Sequence, residues 1–284
     1  MSHAPGLQEA DLERRFGGLQ RLYGEAGYRR VRAARIAVVG LGGVGSWAVE
    51  ALARSGVARL VLIDLDHVSE SNINRQVQAL GATLGQSKVI ALQQRVADIH
   101  PGCEVIGIEE FVDDSNWPAL LSEPVDAVID ACDQLRAKAA IAAWGIAARL
   151  PVLTVGAAGG KRLPQAVEVA DLSEVSHDPL LAALRQRLRQ HHGAPKGGGK
   201  AATARAARIG LRCVFSREPV QLPVACEIGP LAGGESPAEL SQLTSTIDGS
   251  LNCHGYGSAV AVTATFGLVA ANEVLLQLVN HAPN

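Results

Sequence analysis

The sequence has little of several features that would place a chain of 284 residues in a special class. Only 4% of its residues are aromatic, which disfavours the base-stacking platforms of single-strand-binding proteins. Its five cysteines are scattered and include no Cys-x-x-Cys pair. This argues against a disulfide framework or a zinc knuckle, and fits the reduced thiols of a cytosolic protein. The net charge of −2 excludes a generic polyanion binder.

The first 15 residues are polar and charged, so we expect no signal peptide. One apolar stretch, residues 251–279, approaches the length of a membrane span. Asn252, His254 and Glu273 dilute it, together with several Thr and Gly residues. We therefore expect a buried or interfacial core helix here, and leave a membrane-associated segment open as the alternative.

Strand and helix signals alternate through the first half of the chain, with strands at 36–40, 59–64, 104–109, 125–130 and 151–156. Alternation of this kind predicts an α/β fold: a Rossmann-like, mostly parallel sheet with helices on both faces. After residue 170 the alternation of strand and helix signals weakens. We expect a C-terminal extension there, with mobile loops at 191–200 and 227–249. We divide this single domain, 1–284, into an N-terminal helical arm (7–34), a nucleotide-binding core (35–170) and a substrate-side region (171–284).

A hydrophobic strand at 35–39 runs into a glycine-rich loop, after which a helix begins. The glycines are Gly40, Gly42, Gly43 and Gly45, in the pattern GxGGxG. Glycine lets the backbone turn tightly and approach a ligand, and the helix start attracts phosphate. Asp64 ends the next strand, where a carboxylate binds ribose hydroxyls. The pattern predicts a nucleotide site; the alternative is a glycine turn that only lets a helix pack closely on its sheet.

Three charged residues beyond Asp64 indicate a triphosphate rather than the NAD that this unit commonly binds. Arg75 and Lys88 supply cations for the outer phosphates, and Asp133, after a strand, supplies an acid for magnesium. Each has a purely structural alternative: a surface arginine, the start of a solvated helix face, and a helix cap. For two further acids, Asp66 and Asp130, we expect a cap or turn role.

This block resembles the adenylating domain of the ubiquitin-activating-enzyme superfamily (ThiF/MoeB-type). The shared features are the GxGGxG loop, an Asp-x-Asp, an Asn-x-x-Arg-Gln, a Gly-x-x-Lys and a late Asp. The resemblance implies ATP and Mg²⁺ as cofactors, with Arg75, Lys88 and Asp133 as catalytic residues and Asp133 as the metal ligand. It also implies an ATP-binding set made up of Gly40, Gly42, Gly43, Gly45, Asp64, Ser71, Asn72, Asn74, Arg75, Gln76, Lys88 and Asp133.

Four other segments are similar to the tRNA threonylcarbamoyladenosine dehydratase family of that superfamily, namely 15–25, 178–180, 213–216 and the Cys253-x-Gly-x-Gly stretch. This likeness implies an ATP-dependent cyclisation of threonylcarbamoyladenosine next to the anticodon of tRNA. The threonyl carboxylate is activated and no enzyme nucleophile is needed, so Cys253 is expected to pack or to lie beside the substrate.

Two other functions stay open at this point. The first is an adenylyltransferase that activates the Gly-Gly end of a ubiquitin-like sulfur carrier, although the zinc-binding cysteine pairs of such enzymes are missing. The second is a dinucleotide-binding redox enzyme or regulatory module.

The stretch 179–217 contains many Arg and Lys residues but no Asp or Glu. Such a segment can follow the phosphates of tRNA without reading sequence, although runs like this are often only a solvated surface. The tRNA-binding candidates are Arg185, Arg187, Arg189, Lys196 and Lys200.

The superfamily resemblance also implies a homodimer in which an arginine of one subunit reaches the ATP phosphates of the other. Arg21 is our candidate for this catalytic arginine, with Arg15 close behind; a helix-surface arginine is the alternative. Whether a cysteine-desulfurase or sulfur-acceptor partner docks is left open.

Overall fold

The computed structural model describes residues 10–195, 207–221 and 256–280. Its helices are α1 (Leu12–Phe16), α2 (Gly18–Ala33), α3 (Gly45–Arg54), α4 (Lys88–Ile99), α5 (Leu135–Ala148), α6 (Pro179–His191) and α7 (Val260–Asn280). Its strands are β1 (Arg35–Val39), β2 (Arg59–Ile63), β3 (Glu104–Ile108), β4 (Ala127–Asp130), β5 (Val152–Val155), β6 (Val167–Asp171) and β7 (Arg212–Ser216).

The seven strands form one sheet in the order β3-β2-β1-β4-β5-β7-β6. Every neighbouring pair is parallel except β6 and β7, which are antiparallel. The predicted α/β class with a mostly parallel sheet is therefore confirmed. The strand order reverses direction between β1 and β4, and in such sheets a crevice opens at this point beyond the carboxyl ends of the strands.

Residues of β1 alternate between the two faces of the sheet, as the period of two along a strand requires. Ile36 and Val38 belong to a core shared with α3, α4 and α7. Ala37 and Val39 belong to a second core shared with α5 and α6. Both faces are therefore covered by helices, which explains why the central strands read as continuous apolar runs.

The sequence analysis missed β6, whose residues are mostly half-buried at the sheet edge and lack a long apolar run. β7 of the predicted substrate-side region pairs with β5 of the predicted core, so the sheet continues across the suggested division at residue 170. Most of the predicted mobile loop at 191–200, and all of the one at 227–249, lie outside the described residues.

Helix α7 is the one described helix that is long and apolar enough, by length and composition, to cross a membrane. It packs mainly against α3 and α2. A Cβ on Gly267 would overlap the carbonyl oxygen of Val44, and Phe266 is fully buried. Burial against α3 and α2 therefore accounts for part of the apolar character of α7, as expected for a core or interfacial helix, with 44% of its apolar window buried.

We predict that Phe266→Ala lowers the free energy of unfolding by about 3–5 kcal/mol, because it removes a buried ring from this contact. Leu268→Ala is the matched control: Leu268 is 47% exposed, and we expect a change within about 0.5 kcal/mol. Urea unfolding of the two variants measures the difference. Equal effects would mean that α7 does not pack as described.

Candidate functional site

A cleft of about 410 Å³ lies at the carboxyl edge of the sheet, where β1 and β4 are neighbours. Most of the predicted ATP-binding residues line it together. They are Gly40, Gly42, Gly43, Asp64, Asn72, Arg75, Gln76, Lys88 and Asp133. Residues that are far apart in sequence therefore meet in one cleft, because the carboxyl ends of parallel strands share one edge.

The three glycines of the GxGxxG spacing have different local environments. Gly40 has a φ of +84°, and a Cβ there would lie 2.8 Å from the amide nitrogen of Cys132. A Cβ on Gly45 would overlap the carbonyl oxygen of Gly40, so Gly45 lets α3 begin tightly behind the loop. Gly42 lines the cleft and has no described atom within 4 Å of its Cβ position. These environments match a tight turn, close helix packing and a close approach to a phosphate.

The backbone N–H and carbonyl groups of Leu41 hold the glycine loop in place. The N–H donates to Asp64 Oδ2 at 2.6 Å, and the carbonyl accepts from Gln78 Nε2 at 3.0 Å. Asp64 Oδ1 also accepts the N–H of Asp66 at 2.8 Å. Burial raises the pKa of Asp64, while Lys88 and these backbone donors partly oppose the increase. Each carboxylate oxygen still has a lone pair for a ribose hydroxyl.

Lys88 is the first residue of α4, and its side chain is only 7% exposed. Its ammonium lies 2.6 Å from Asp66 Oδ2 and 3.8 Å from Asp64 Oδ1. A buried ammonium needs such partners because losing water is costly. Asp66, expected only to cap a turn, thus holds this lysine at the mouth of the cleft.

Arg75 is held by its backbone and by one of its terminal nitrogens. Its carbonyl accepts from Trp47 Nε1 at 2.9 Å, and Nη1 donates to the carbonyl of Ser71 and to Asn74 Oδ1. Its Nε is buried and has no hydrogen-bond partner among the described residues. A Cβ on Gly43 would lie 3.2 Å from Arg75 Cγ, so the guanidinium stem packs on the glycine loop. An unpartnered donor here fits an anionic ligand.

Asp133 follows β4 and is exposed to the cleft, with no hydrogen-bond or ion-pair partner among the residues that the structure describes. The same part of the chain contains no group of three or more His, Cys, Asp or Glu residues suited to hold a metal by themselves. Magnesium is typically bound by one or two carboxylates plus substrate phosphates and waters. A single free carboxylate facing a phosphate cleft fits this requirement.

The other predicted site residues have mainly structural contacts. Asn72 Oδ1 accepts the N–H of Ser69, and Gln76 Oε1 accepts from Gln78. Ser71 and Asn74 lie outside the cleft lining; the Asn74 amide donates to the carbonyl of Ser258 at 3.0 Å. These contacts hold the segment between β2 and α4 in place around Arg75.

The predicted arginines outside the cleft fall into two groups. Arg15 donates to the carbonyls of Asp98 and Ile99 at the end of α4, whereas Arg21 is exposed on α2. On α6, Arg185 donates to two carbonyls and Arg189 to the carbonyl of Pro195. Arg187 is half-buried, with no hydrogen-bond partner for its Nε among the described atoms. Lys196 and Lys200 lie outside the described residues.

Several residues of the site were missed by sequence reasoning. Thr263 of α7 is buried and lines the cleft, 3.3 Å from the Cβ position of Gly43. Phe111, after β3, is 53% exposed and also lines it. Trp47 positions Arg75, and Gln78 positions Leu41. No local pattern marks Gln78, but a phenylalanine just after a predicted strand, in a chain with few aromatic residues, was a usable signal for Phe111.

Comparison with known proteins gives consistent results. The model of the ThiF family matches residues 14–284. The chain is 38% identical to the tRNA threonylcarbamoyladenosine dehydratase of Escherichia coli (strain K12), over 94% of both chains. It is also similar to two crystal structures of the E. coli tRNA N6-threonylcarbamoyladenosine dehydratase, TcdA, one in complex with AMP and one with ATP. For each the TM-score is 0.77 and the identity 36%, over 96% of this chain and 97% of the other.

We predict different effects for alanine at two glycines of the loop. Gly42→Ala leaves stability unchanged within about 0.5 kcal/mol, because its methyl group meets no atom of the described residues. It weakens ATP binding by about tenfold, because the methyl group enters space that the phosphates need. Gly45→Ala lowers the thermal midpoint, because its methyl group overlaps the Gly40 carbonyl. Calorimetric titration and thermal unfolding separate the effects; normal ATP affinity in Gly42→Ala would contradict the loop's role.

Proposed function

The chain belongs to the ThiF family, and from this premise we propose that it dehydrates threonylcarbamoyladenosine next to the anticodon of tRNA, using ATP. The observation that carries the proposal is the cleft at the β1–β4 switch point. There Arg75, Lys88 and Asp133 converge on the glycine loop, in a chain that is similar to such dehydratases over 94% of its length.

In this proposal, one group of cleft residues binds the ribose of ATP and another group binds its phosphates. Asp64, between the glycine loop and Lys88, receives the ribose hydroxyls, and the backbone of Gly42 and Gly43 approaches the phosphates. Arg75 Nε lacks a partner among the described atoms and donates to the phosphates. Lys88 exchanges its exposed partner Asp66 for a phosphate oxygen, a cheap exchange because Asp66 returns to water.

Asp133 would hold Mg²⁺, which in such sites neutralises charge on the phosphates. The chain's own contribution is the orientation of this carboxylate, since the turn after β4 aims it into the cleft. Carboxylate and cations then lie on opposite sides of the phosphates, which fixes the α-phosphorus for attack.

The reaction proceeds in two steps, adenylation of the carboxylate and then ring closure. A threonyl carboxylate oxygen attacks the α-phosphorus of ATP, the bond to the β-phosphate oxygen breaks, and pyrophosphate leaves. The product is an acyl-adenylate. A nucleophile within the modification then attacks the activated carbonyl and loses its proton, and AMP leaves as the ring closes. The second step is intramolecular, so it gains from high effective molarity. The AMP complex of a similar dehydratase structure agrees with AMP as a product.

The described cysteines support a route without an enzyme nucleophile. Cys132 lines the cleft, but burial raises its pKa well above the usual value, and the neighbouring Asp130 raises it further. Burial also raises the pKa of Cys103 to about 11 and that of Cys213 far above its ordinary range. All three are thiols near neutral pH, and only thiolates are good nucleophiles. None of these three thus supplies the reactive cysteine that a sulfur-carrier adenylyltransferase often uses, whereas Cys253 lies outside the described residues.

The partner of the reaction is tRNA, and α6 gives the chain a cationic surface on the substrate side. Backbone carbonyls accept N–H groups of Arg185 and Arg189 and fix these two guanidinium groups on α6. Leu180, at the start of α6, lines the cleft; at 1.5 Å per residue Arg187 lies about 10 Å further along the axis. That distance suits a contact with a phosphate flanking the modified nucleoside. Lys196 and Lys200 extend the same charge along the chain.

We further propose a homodimer in the cytoplasm, where ATP and tRNA are available. Arg21 is exposed and unpaired among the described residues, so it is free to reach the phosphates bound by the partner subunit. Arg15 is committed to the end of α4, which favours Arg21 for this role. A sulfur-transfer partner has no support in the described surface.

Mass spectrometry of nucleosides tests the function directly. Purified protein, ATP and Mg²⁺ should remove one water from threonylcarbamoyladenosine in intact tRNA. Pyrophosphate release should fall to background with RNase-treated tRNA. An unchanged nucleoside would refute the proposal, whereas modification of a Gly-Gly carrier would establish the alternative.

We predict that Asp133→Asn lowers kcat/KM for ATP at least about 100-fold, because the neutral amide cannot stabilise the metal-bound triphosphate. The thermal midpoint stays unchanged, since Asp133 is exposed and makes no hydrogen bond or ion pair within the described part of the chain. Asp98→Asn is the matched control: it removes an exposed carboxylate from the far end of α4 and should keep full activity. Wild-type turnover by Asp133→Asn would contradict the role.

A mixing experiment tests the shared site. Arg21→Ala and Asp133→Asn are each expected to be inactive alone. In a mixed dimer, one cleft has an intact Asp133 and receives Arg21 from the other subunit. Random exchange of subunits should therefore restore about a quarter of wild-type activity. No recovery after verified exchange, or full activity of Arg21→Ala alone, would exclude this arginine.

A further inference from the structure

A fully buried ion pair lies directly beneath the cleft. The ammonium of Lys138, on α5, is 3.1 Å from Asp130 Oδ2 at the end of β4, and neither side chain is exposed at all. The hydroxyl of Thr154, on β5, donates to the same oxygen at 2.5 Å. Two neighbouring strands and a helix are thereby tied to one carboxylate.

The other oxygen of this carboxylate contacts the turn that follows β4. Asp130 Oδ1 accepts the N–H of Cys132 at 3.3 Å and its thiol at 2.9 Å. The carboxylate therefore fixes the conformation of the turn 130–133, which ends at Asp133. The same turn packs on the glycine loop, where a Cβ on Gly40 would lie only 2.8 Å from the nitrogen of Cys132.

Stability does not account for this pair. A buried ion pair commonly contributes less than apolar residues of the same volume would. Lys138 is flanked on α5 by Ala137 and Ala139, and apart from Arg136 the helix carries no other charged residue. Burial lowers the pKa of Lys138, but the Asp130 carboxylate outweighs this and raises it above the ordinary value, so the ammonium stays charged. A charged pair kept at this cost points to a role in fixing one conformation.

We propose that Lys138 is a positioning residue for the metal-dependent part of the nucleotide site. It holds the Asp130 carboxylate in the orientation that fixes the turn 130–133, and this turn presents Asp133 to Mg²⁺ and the phosphates. Lys138 touches neither ATP nor the metal. The inference rests on the proposed function, because it concerns the same cleft.

The test measures binding of a non-hydrolysable ATP analogue by calorimetry without tRNA, once with Mg²⁺ and once with EDTA. In the wild type, Mg²⁺ should tighten binding. Lys138→Met keeps the length of the side chain and removes its charge. We expect its affinity for the analogue in Mg²⁺ to fall at least about tenfold below that of the wild type. Its affinity in EDTA should stay within about twofold of the wild type, because Asp64 and the glycine loop keep their contacts.

Lys161→Met is the matched control. Lys161 is also buried, at 3% exposed, but it donates to the backbone carbonyls of His177, Ser216 and Glu218 rather than to a carboxylate on the turn. It should destabilise the protein and leave the effect of Mg²⁺ unchanged. An equal loss of Mg²⁺-dependent affinity in both variants would overturn the proposal, since it would reflect general destabilisation.

A milder variant covers the case in which Lys138→Met does not fold. Thr154→Val removes only the hydroxyl that donates to Asp130. It should fold and show the same selective loss, about threefold. A folded Thr154→Val with wild-type Mg²⁺ dependence would overturn the inference. Failure of the proposed function would look different, since wild-type protein would then bind the analogue no better with Mg²⁺ or leave tRNA unmodified.

Discussion

The nucleotide site depends on the close contact between two backbone turns at the centre of the sheet. The glycine loop after β1 packs against the turn after β4, and neither Gly40 nor Gly45 leaves space for a side chain between them. Because β1 and β4 are adjacent and parallel, both turns lie at the same edge. Helix α3 then leaves on one face of the sheet and α5 on the other. The cleft is the space between these diverging helices, so its position follows from the topology.

The charges of the cleft are arranged around this contact. Lys88 is held by an exposed acid and Arg75 by the segment between β2 and α4, whereas Asp133 has no partner among the described residues. The cations come from one side of the switch point and the acid from the other, so under the proposed function a triphosphate would contact both sets. Asp64 belongs to neither set, because it is bound to the glycine loop itself. The site is therefore largely pre-organised, which reduces the cost of binding.

Sequence reasoning found the parts of this site that are marked by local spacing. The glycine loop, Asp64 and Lys88 each begin or end an element, and the alternation of strands and helices was enough to predict a parallel sheet. It missed residues whose role depends on contacts between distant segments. Gln78 matters because its amide reaches Leu41, and Thr263 because α7 folds back onto Gly43. β6 was missed for a related reason: an edge strand is only partly buried and therefore carries a weak apolar pattern.

Two unusual features of the sequence, the apolar run of α7 and the buried charge of Lys138, differ in what they say about function. The apolar run of α7 is long enough to suggest a membrane span, but Gly267 and Phe266 pack it against α3, so burial explains part of it. Lys138 is a fully buried charge in a mostly apolar helix whose other charged residue, Arg136, is exposed, and burial alone makes it unfavourable. Its presence therefore requires a partner, and that partner, Asp130, begins the turn that ends at Asp133. The buried lysine is consequently more informative about the site than the apolar helix, because burial opposes a charge and favours an apolar side chain.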